Sequence, residues 1–240
     1  MHLTGTLINV ATVLAGTILG SVFRGRLPER IRETVIHALG LVTIVVGVDG
    51  ALVAFRPPLS TTTRASVVIV LGSVLVGGVI GELVGIEGAL NALGEALKRR
   101  FGRREARFTE GFVVASLVFC VGPLTILGAI HDGLTGDYQL LAIKSVLDGF
   151  AALAFASVLG WGVGFSVVTI LVYQGGIALG ASALRDVFTP TTIAALTAAG
   201  GVLILGIGFR LLDLVKVRVA NLLPALLLAP VTLAIVDRMH

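Results

Sequence analysis

The sequence predicts an all-α fold, a polytopic bundle of about eight transmembrane helices, and three observations predict it. Of 240 residues, 56% are hydrophobic and 13% are charged, whereas a soluble domain carries about 25% charged residues. Mean hydropathy is +1.02. The apolar residues fall in runs of about twenty, the length at which a helix crosses a hydrocarbon layer about 30 Å thick. Lys and Arg gather in alternate connections between those runs, as they do in cytoplasmic loops.

One integral membrane domain, 1–240, is expected, with spans near 3–23, 35–55, 65–86, 111–131, 140–160, 161–183, 190–210 and 219–236. The first run has no positive charge before it, and Arg24 and Arg26 follow it. It therefore reads as a retained span rather than a secretory signal. Asn9 lies inside it and can hydrogen-bond to a neighbouring helix. Leu27, Ile31 and Val35, with Pro28 suited to a first turn, mark a short amphipathic helix after this span. Asp49 falls toward the outer end of the second span and Glu82 toward the inner end of the third. Between the third and fourth spans, Leu90, Leu93, Leu97 and Phe101 recur at helical spacing beside a basic cluster. That pattern fits either an amphipathic helix in the cytoplasmic interface, residues 87–110, or a solvated charged loop.

The fourth span is interrupted by Gly122 and Pro123, and the sixth contains Gln174, Gly175 and Gly176 near its middle. Proline removes a backbone donor and glycine tolerates non-helical dihedrals, so both positions are expected helix breaks. Unwound backbone at bilayer depth survives where it is buried in protein or lines a polar cavity, although a simple kink has the same composition. The fifth and sixth spans are separated by LGWGVG, a glycine-rich turn with Trp161 as an interface anchor. Pro224 and Pro230 fall in the last span.

Counting charges orients the bundle. Arg24, Arg26, Arg30, Arg32, Lys98, Arg99, Arg100, Arg103, Arg104, Arg107, Arg210, Lys216 and Arg218 flank one side; only Arg56, Arg64, Arg185 and Arg238 flank the other. The positive-inside rule places both termini outside. A net charge of +4, gathered in membrane-flanking loops, fits lipid headgroups and argues against nucleic acid as a partner.

The chemistry concentrates in the fifth span. LLAIKSVLDGFAALAFASVLG (residues 140–160) carries Lys144 and Asp148 within an otherwise apolar run. At about 1.5 Å per residue, Asp148 lies roughly 12 Å along the helix, deep in the hydrocarbon layer. A central charge costs roughly 2.5–3.5 kcal/mol on insertion scales, so a partner must compensate it. Lys before Asp at this spacing is the weaker intrahelical order, which points to partners on other helices. Lys144 snorkelling to an interface while Asp148 takes a structural hydrogen bond is the bland alternative. The polar set that could serve an ion or solute is Asp148, Lys144, Gln174, Asp49, Glu82 and Asn9.

An enzyme is not expected. HExxH, GxSxG and Walker A motifs are absent, Cys120 stands alone, and His2, His37, His131 and His240 show no ligand spacing. Neither a metal nor a cofactor is therefore expected. Glycine-spaced spans, Gly16 with Gly20 or Gly77 with Gly81, could pack a homodimer or pack helices within one chain. Val13, Leu14, Gly16 and Gly20 also match Val74, Leu75, Gly77 and Gly81, as remnants of a parallel repeat or by chance among similar helices.

Residues 110–134 (EGFVVASLVFCVGPLTILGAIHDGL), KSVLDG at 144–149, AFAS at 154–157 and YQGG at 173–176 resemble the YqgA/YdfK-like bacterial integral membrane proteins, a family of unknown function. GTLINVATVLAG at 5–16 and NLLPAL at 221–226 extend the likeness over nearly the whole chain. The resemblance implies a multi-span inner-membrane protein, described in places as a transporter, and assigns no residue a role. The resulting expectation is a secondary transporter or channel for a small ion or polar solute in a bacterial cytoplasmic membrane. A non-transporting scaffold or regulatory subunit, whose ion pair only fixes helix register, is the alternative, ahead of a membrane-embedded enzyme.

Overall fold

The computed structural model describes residues 2–24, 28–59, 66–101, 106–184 and 189–239. Leu27, Arg26, Arg64, Arg103, Arg104 and Arg185, all used above, lie outside them. Every regular element among the described residues is helical. In chain order these are α1 (Thr4–Arg24), α2 (Glu29–Leu52), α3 (Ser66–Val84), α4 (Ile86–Phe101), α5 (Phe108–Cys120), α6 (Pro123–Thr135), α7 (Gln139–Leu159), α8 (Val167–Leu179), α9 (Ala181–Leu184), α10 (Pro190–Leu211) and α11 (Ala225–Met239). Short 3-10 segments at Val53–Phe55, Trp161–Ser166 and Val219–Leu222 join some of them.

Among the described residues six stretches are long and apolar enough to span a bilayer: Thr4–Arg24, Glu29–Phe55, Ser66–Val84, Gln139–Leu159, Trp161–Leu179 and Pro190–Leu211. The pair α5 and α6, bent by 65°, passes the same test together and makes a seventh if it is one span. The expected eighth segment is shorter. Its helix α11 has 15 residues, or about 22 Å at 1.5 Å each. The short amphipathic helix expected after the first span is not separate, because the chain runs unbroken from Glu29 into α2.

Local chemistry explains several boundaries. Thr189 and Thr192 form a reciprocal capping box before α10, with Pro190 in its first turn, satisfying donors that the first turn leaves free. At the other end of α7, Gly160 adopts φ +84° and turns the chain into the 3-10 segment Trp161–Ser166. Only glycine enters that region without steric cost.

The chain divides into two compact units. The first comprises Met1–Leu39 and Leu90–Arg185; the second comprises Gly40–Ala89 and Asp186–His240. Similar apolar runs do not announce which of them pack together. In the first unit α1 lies against α7 at backbone distance. A Cβ on Gly16 would meet the Gly149 carbonyl oxygen at 2.1 Å, and one on Gly20 the Leu153 carbonyl oxygen at 2.2 Å. In the second unit a Cβ on Gly81 would meet the Asn221 carbonyl oxygen at 1.9 Å, and Gly77 lies against Ala225. The glycines expected to seat a second copy are thus used within the chain, and a homodimer would need another face. In α4, Gly94 packs on Thr109 and Phe112 while Phe101 stacks on Phe165 at 5.1 Å. The helix expected in 87–110 is therefore docked on the first unit rather than solvated as a loop.

Candidate functional site

The site grows from the break between α5 and α6. In a continuous helix the N–H of residue 123 would bond the carbonyl of residue 119. Pro123 has no N–H, and Gly122 adopts extended backbone (φ 162°, ψ 151°). The Phe119 carbonyl is therefore released at the C-terminal, negative end of α5. Lys144 Nζ donates to it at 2.8 Å, and Thr125 Oγ1 donates at 3.3 Å. A cation from α7 thus replaces the backbone donor that proline took away.

Lys144 also donates to Asp148 Oδ2, one turn further along α7. The same oxygen takes a bond from Asn9 Nδ2 of α1 at 3.0 Å. Asn9 Nδ2 donates in addition to Gln174 Oε1 of α8 at 3.0 Å, and Gln174 Nε2 donates to Thr6 Oγ1 of α1 at 3.2 Å. Lys144 and Asp148 are 6% and 8% exposed, and Asn9 and Gln174 are fully buried. Four helices, α1, α5, α7 and α8, therefore contribute to one buried polar chain in the first unit. Two of its members, Asn9 and Gln174, lie in spans where the sequence places no other strongly polar group.

The other expected site residues lie elsewhere. Asp49 is exposed and pairs with Arg56 at 3.1 Å. Glu82 pairs with Arg218 and accepts from Asn221 Nδ2 at 2.6 Å. Gly175 and Gly176 do not break α8, which runs helically from Val167 to Leu179. Glycine permits unwinding but, unlike proline, retains its N–H and does not impose it. Pro224 falls before α11, and Pro230 is carried inside it.

Sequence reasoning missed several groups. Thr6 is buried at the end of the polar chain. Asp132, fully buried on α6, accepts the Gly5 N–H of α1 at 2.8 Å through Oδ2. In the second unit Glu87 pairs with Arg210 at 2.7 Å and accepts the Ala220 N–H at 2.9 Å, while its own N–H donates to Asn221 Oδ1 at 2.6 Å. The available signal was modest: Asp132 sits in the patterned IHDGL run, and Thr6 lies three residues from Asn9 on one helical face. Among the described residues no three His, Cys, Asp or Glu side chains gather as a metal site.

Chemically, the first-unit cluster offers one ammonium and one carboxylate, held in fixed register by neutral amides. Asp148 Oδ1 takes no hydrogen bond from the described residues, and Asn9 Oδ1 has no partner. The charged pair is thus compensated while acceptor capacity remains open beside it.

Comparison with known proteins gives the same outline. The chain is 29% identical over 232 residues to "Uncharacterized membrane protein YdfK" of Bacillus subtilis (strain 168), covering 97% of this chain and 96% of that protein. It is 34% identical over 230 residues to "Uncharacterized protein YqgA" of Escherichia coli (strain K12), covering 94% of each. No solved structure matches. Residues 4–234 match the family described as "Protein of unknown function (DUF554)", and the chain, a helical membrane protein, belongs to that family.

Proposed function

We propose that this protein is a secondary transporter or channel for a small ion or polar solute in the bacterial cytoplasmic membrane. Asp148 is the binding carboxylate and Lys144 its counter-charge. The observation that carries this reading is the buried Lys144 and Asp148 pair, continued by Asn9 and Gln174 and anchored on the carbonyl freed at a broken span. Ionisable residues inside membranes are costly and mark ion and proton pathways, and broken helices recur at transporter sites.

The test is purified protein in liposomes, with H⁺, Na⁺, K⁺ and Cl⁻ flux followed by entrapped indicators. Asp148→Asn keeps the shape and can still accept a hydrogen bond, so it should fold and insert while flux falls at least about a hundredfold, in the range of a lost charged contact of about 3 kcal/mol. Normal flux in a well-folded Asp148→Asn protein removes the assignment and leaves the register-fixing scaffold. Both termini face outward in this reading, on the asymmetry of Lys and Arg. Reporter fusions after the last residue and in the 87–110 connection should score opposite sides of the membrane.

A further inference from the structure

Among the described residues, four buried side-chain atoms have no hydrogen-bond partner: Asn9 Oδ1, Thr17 Oγ1, Ser21 Oγ and Asp132 Oδ1. Three belong to α1, and the fourth to the carboxylate whose other oxygen holds the first turn of α1 through Gly5. Buried polar atoms are ordinarily paired, and each exception calls for a reason. Exceptions that all lie on α1 or on the carboxylate bonded to its first turn call for a shared one, a polar species that travels along α1.

The open groups also define its charge. Asn9 Nδ2 already donates to Asp148 and Gln174, Gln174 Nε2 to Thr6, and Lys144 to Asp148 and Phe119. What stays open is acceptor oxygen at Asn9 and Asp132, plus two hydroxyls that turn either way. An anion finds almost no donor there. Oxygen-only ligands suit small hard cations. Lys144 already neutralises Asp148, so Asp132 adds one net negative charge. Gly5 and Asn9, where α1 meets Asp132 and Asp148, are about 6 Å apart at 1.5 Å per residue.

We infer that Asp132 is a second binding carboxylate, which takes up a small monovalent cation and passes it along α1 to Asn9 and Asp148. This rests on the transport reading and names its solute class. The competing role, a cap on α1, needs only a hydrogen-bond acceptor, so charge separates the two.

The experiment is a thermal-melt titration of the detergent-purified full chain with LiCl, NaCl and KCl, balanced by N-methylglucamine chloride. It is paired with liposome uptake of the same ions. One alkali ion should raise the wild-type melting temperature saturably. Asp132→Asn, which still accepts the Gly5 N–H, should raise the half-saturating concentration at least tenfold in both assays, and Asp132→Glu should restore much of the affinity. Should the Asn protein fail to fold, Asp132→Ser offers the same uncharged acceptor. Cation stabilisation that Asp132→Asn weakens, in a protein showing no flux, keeps this site and removes the transport reading. An unchanged half-saturation in Asp132→Asn, or a wild type that moves chloride and is shifted by no alkali cation, overturns the proposal.

Discussion

The two units each bury charge, and they do it differently. In the second unit, Glu82 and Glu87 meet Arg218 and Arg210 on other elements, and Glu87 also binds main-chain N–H. That network is closed: Glu87 uses both carboxylate oxygens, and Asn221 both donates and accepts. Within that unit it ties Glu87 to α10 and to the Val219–Leu222 segment, and Glu82 of α3 to the same segment. In the first unit, lysine and aspartate lie on one helix, share one carboxylate oxygen with Asn9, and leave acceptors open. A clamp consumes its hydrogen-bonding capacity, whereas a binding site keeps some in reserve. The exposed pair of Asp49 and Arg56 is a third case, with side chains 72% and 54% exposed, where solvent screens most of the attraction.

Substitutions can sharpen or erase that contrast. The largest effect on stability is expected at Lys144. Lys144→Met strands Asp148 and leaves the Phe119 carbonyl with only the longer bond from Thr125, and should destabilise the chain by about 3–5 kcal/mol. Adding Asp148→Asn should restore much of that, because no buried charge is then left alone. Denaturant or thermal melts of both proteins decide the matter, and a double mutant no more stable than Lys144→Met would mean that the pair is not coupled. In the clamp, Glu87→Gln keeps an acceptor for Ala220 but loses the charge opposite Arg210, at about 1–3 kcal/mol in the same melts. Glu82→Gln should cost less than about 1 kcal/mol, since its side chain is 53% exposed. If flux survives Glu87→Gln in protein that stays folded, this network is a clamp and not a binding site. Loss of flux there would dissolve the contrast between clamp and site.

Much of the site could be read from the chain because charge in an apolar run is rare and expensive. Lys144 and Asp148 stood out for that reason, and Asn9 and Gln174 as the strongest polar groups of their spans. Their convergence was not readable, since it depends on α1 docking against α7 at the glycine contacts and on α8 returning beside both. Asp49 and Glu82 were selected by the same rule and fell outside because exposure is decided by tertiary packing. Asp132 escaped notice for the opposite reason. It lies just past the end of the expected 111–131 span, yet it is fully buried and holds the first turn of α1. The breaks divide similarly. Gly122 and Pro123 give an interruption because proline deletes a donor, while Gly175 and Gly176 stay helical because every donor is present. Seven of the eight apolar runs became spans or a bent pair of spanning length; the last was shortened by the turn at Leu223 and Pro224, which periodicity does not weigh.

The anchor of Lys144 is a main-chain oxygen. It is supplied by whatever residue occupies position 119, so a scan of side chains at that position would pass over it in silence. The lysine's attachment is encoded instead four residues downstream, at Pro123, where the missing N–H sets the carbonyl free. A lineage could therefore exchange Phe119 for any apolar residue that fits and keep the contact, yet lose it by replacing Pro123 with a residue that restores the helix. The informative genetic partner of Lys144 is thus a residue whose side chain it has no need to touch.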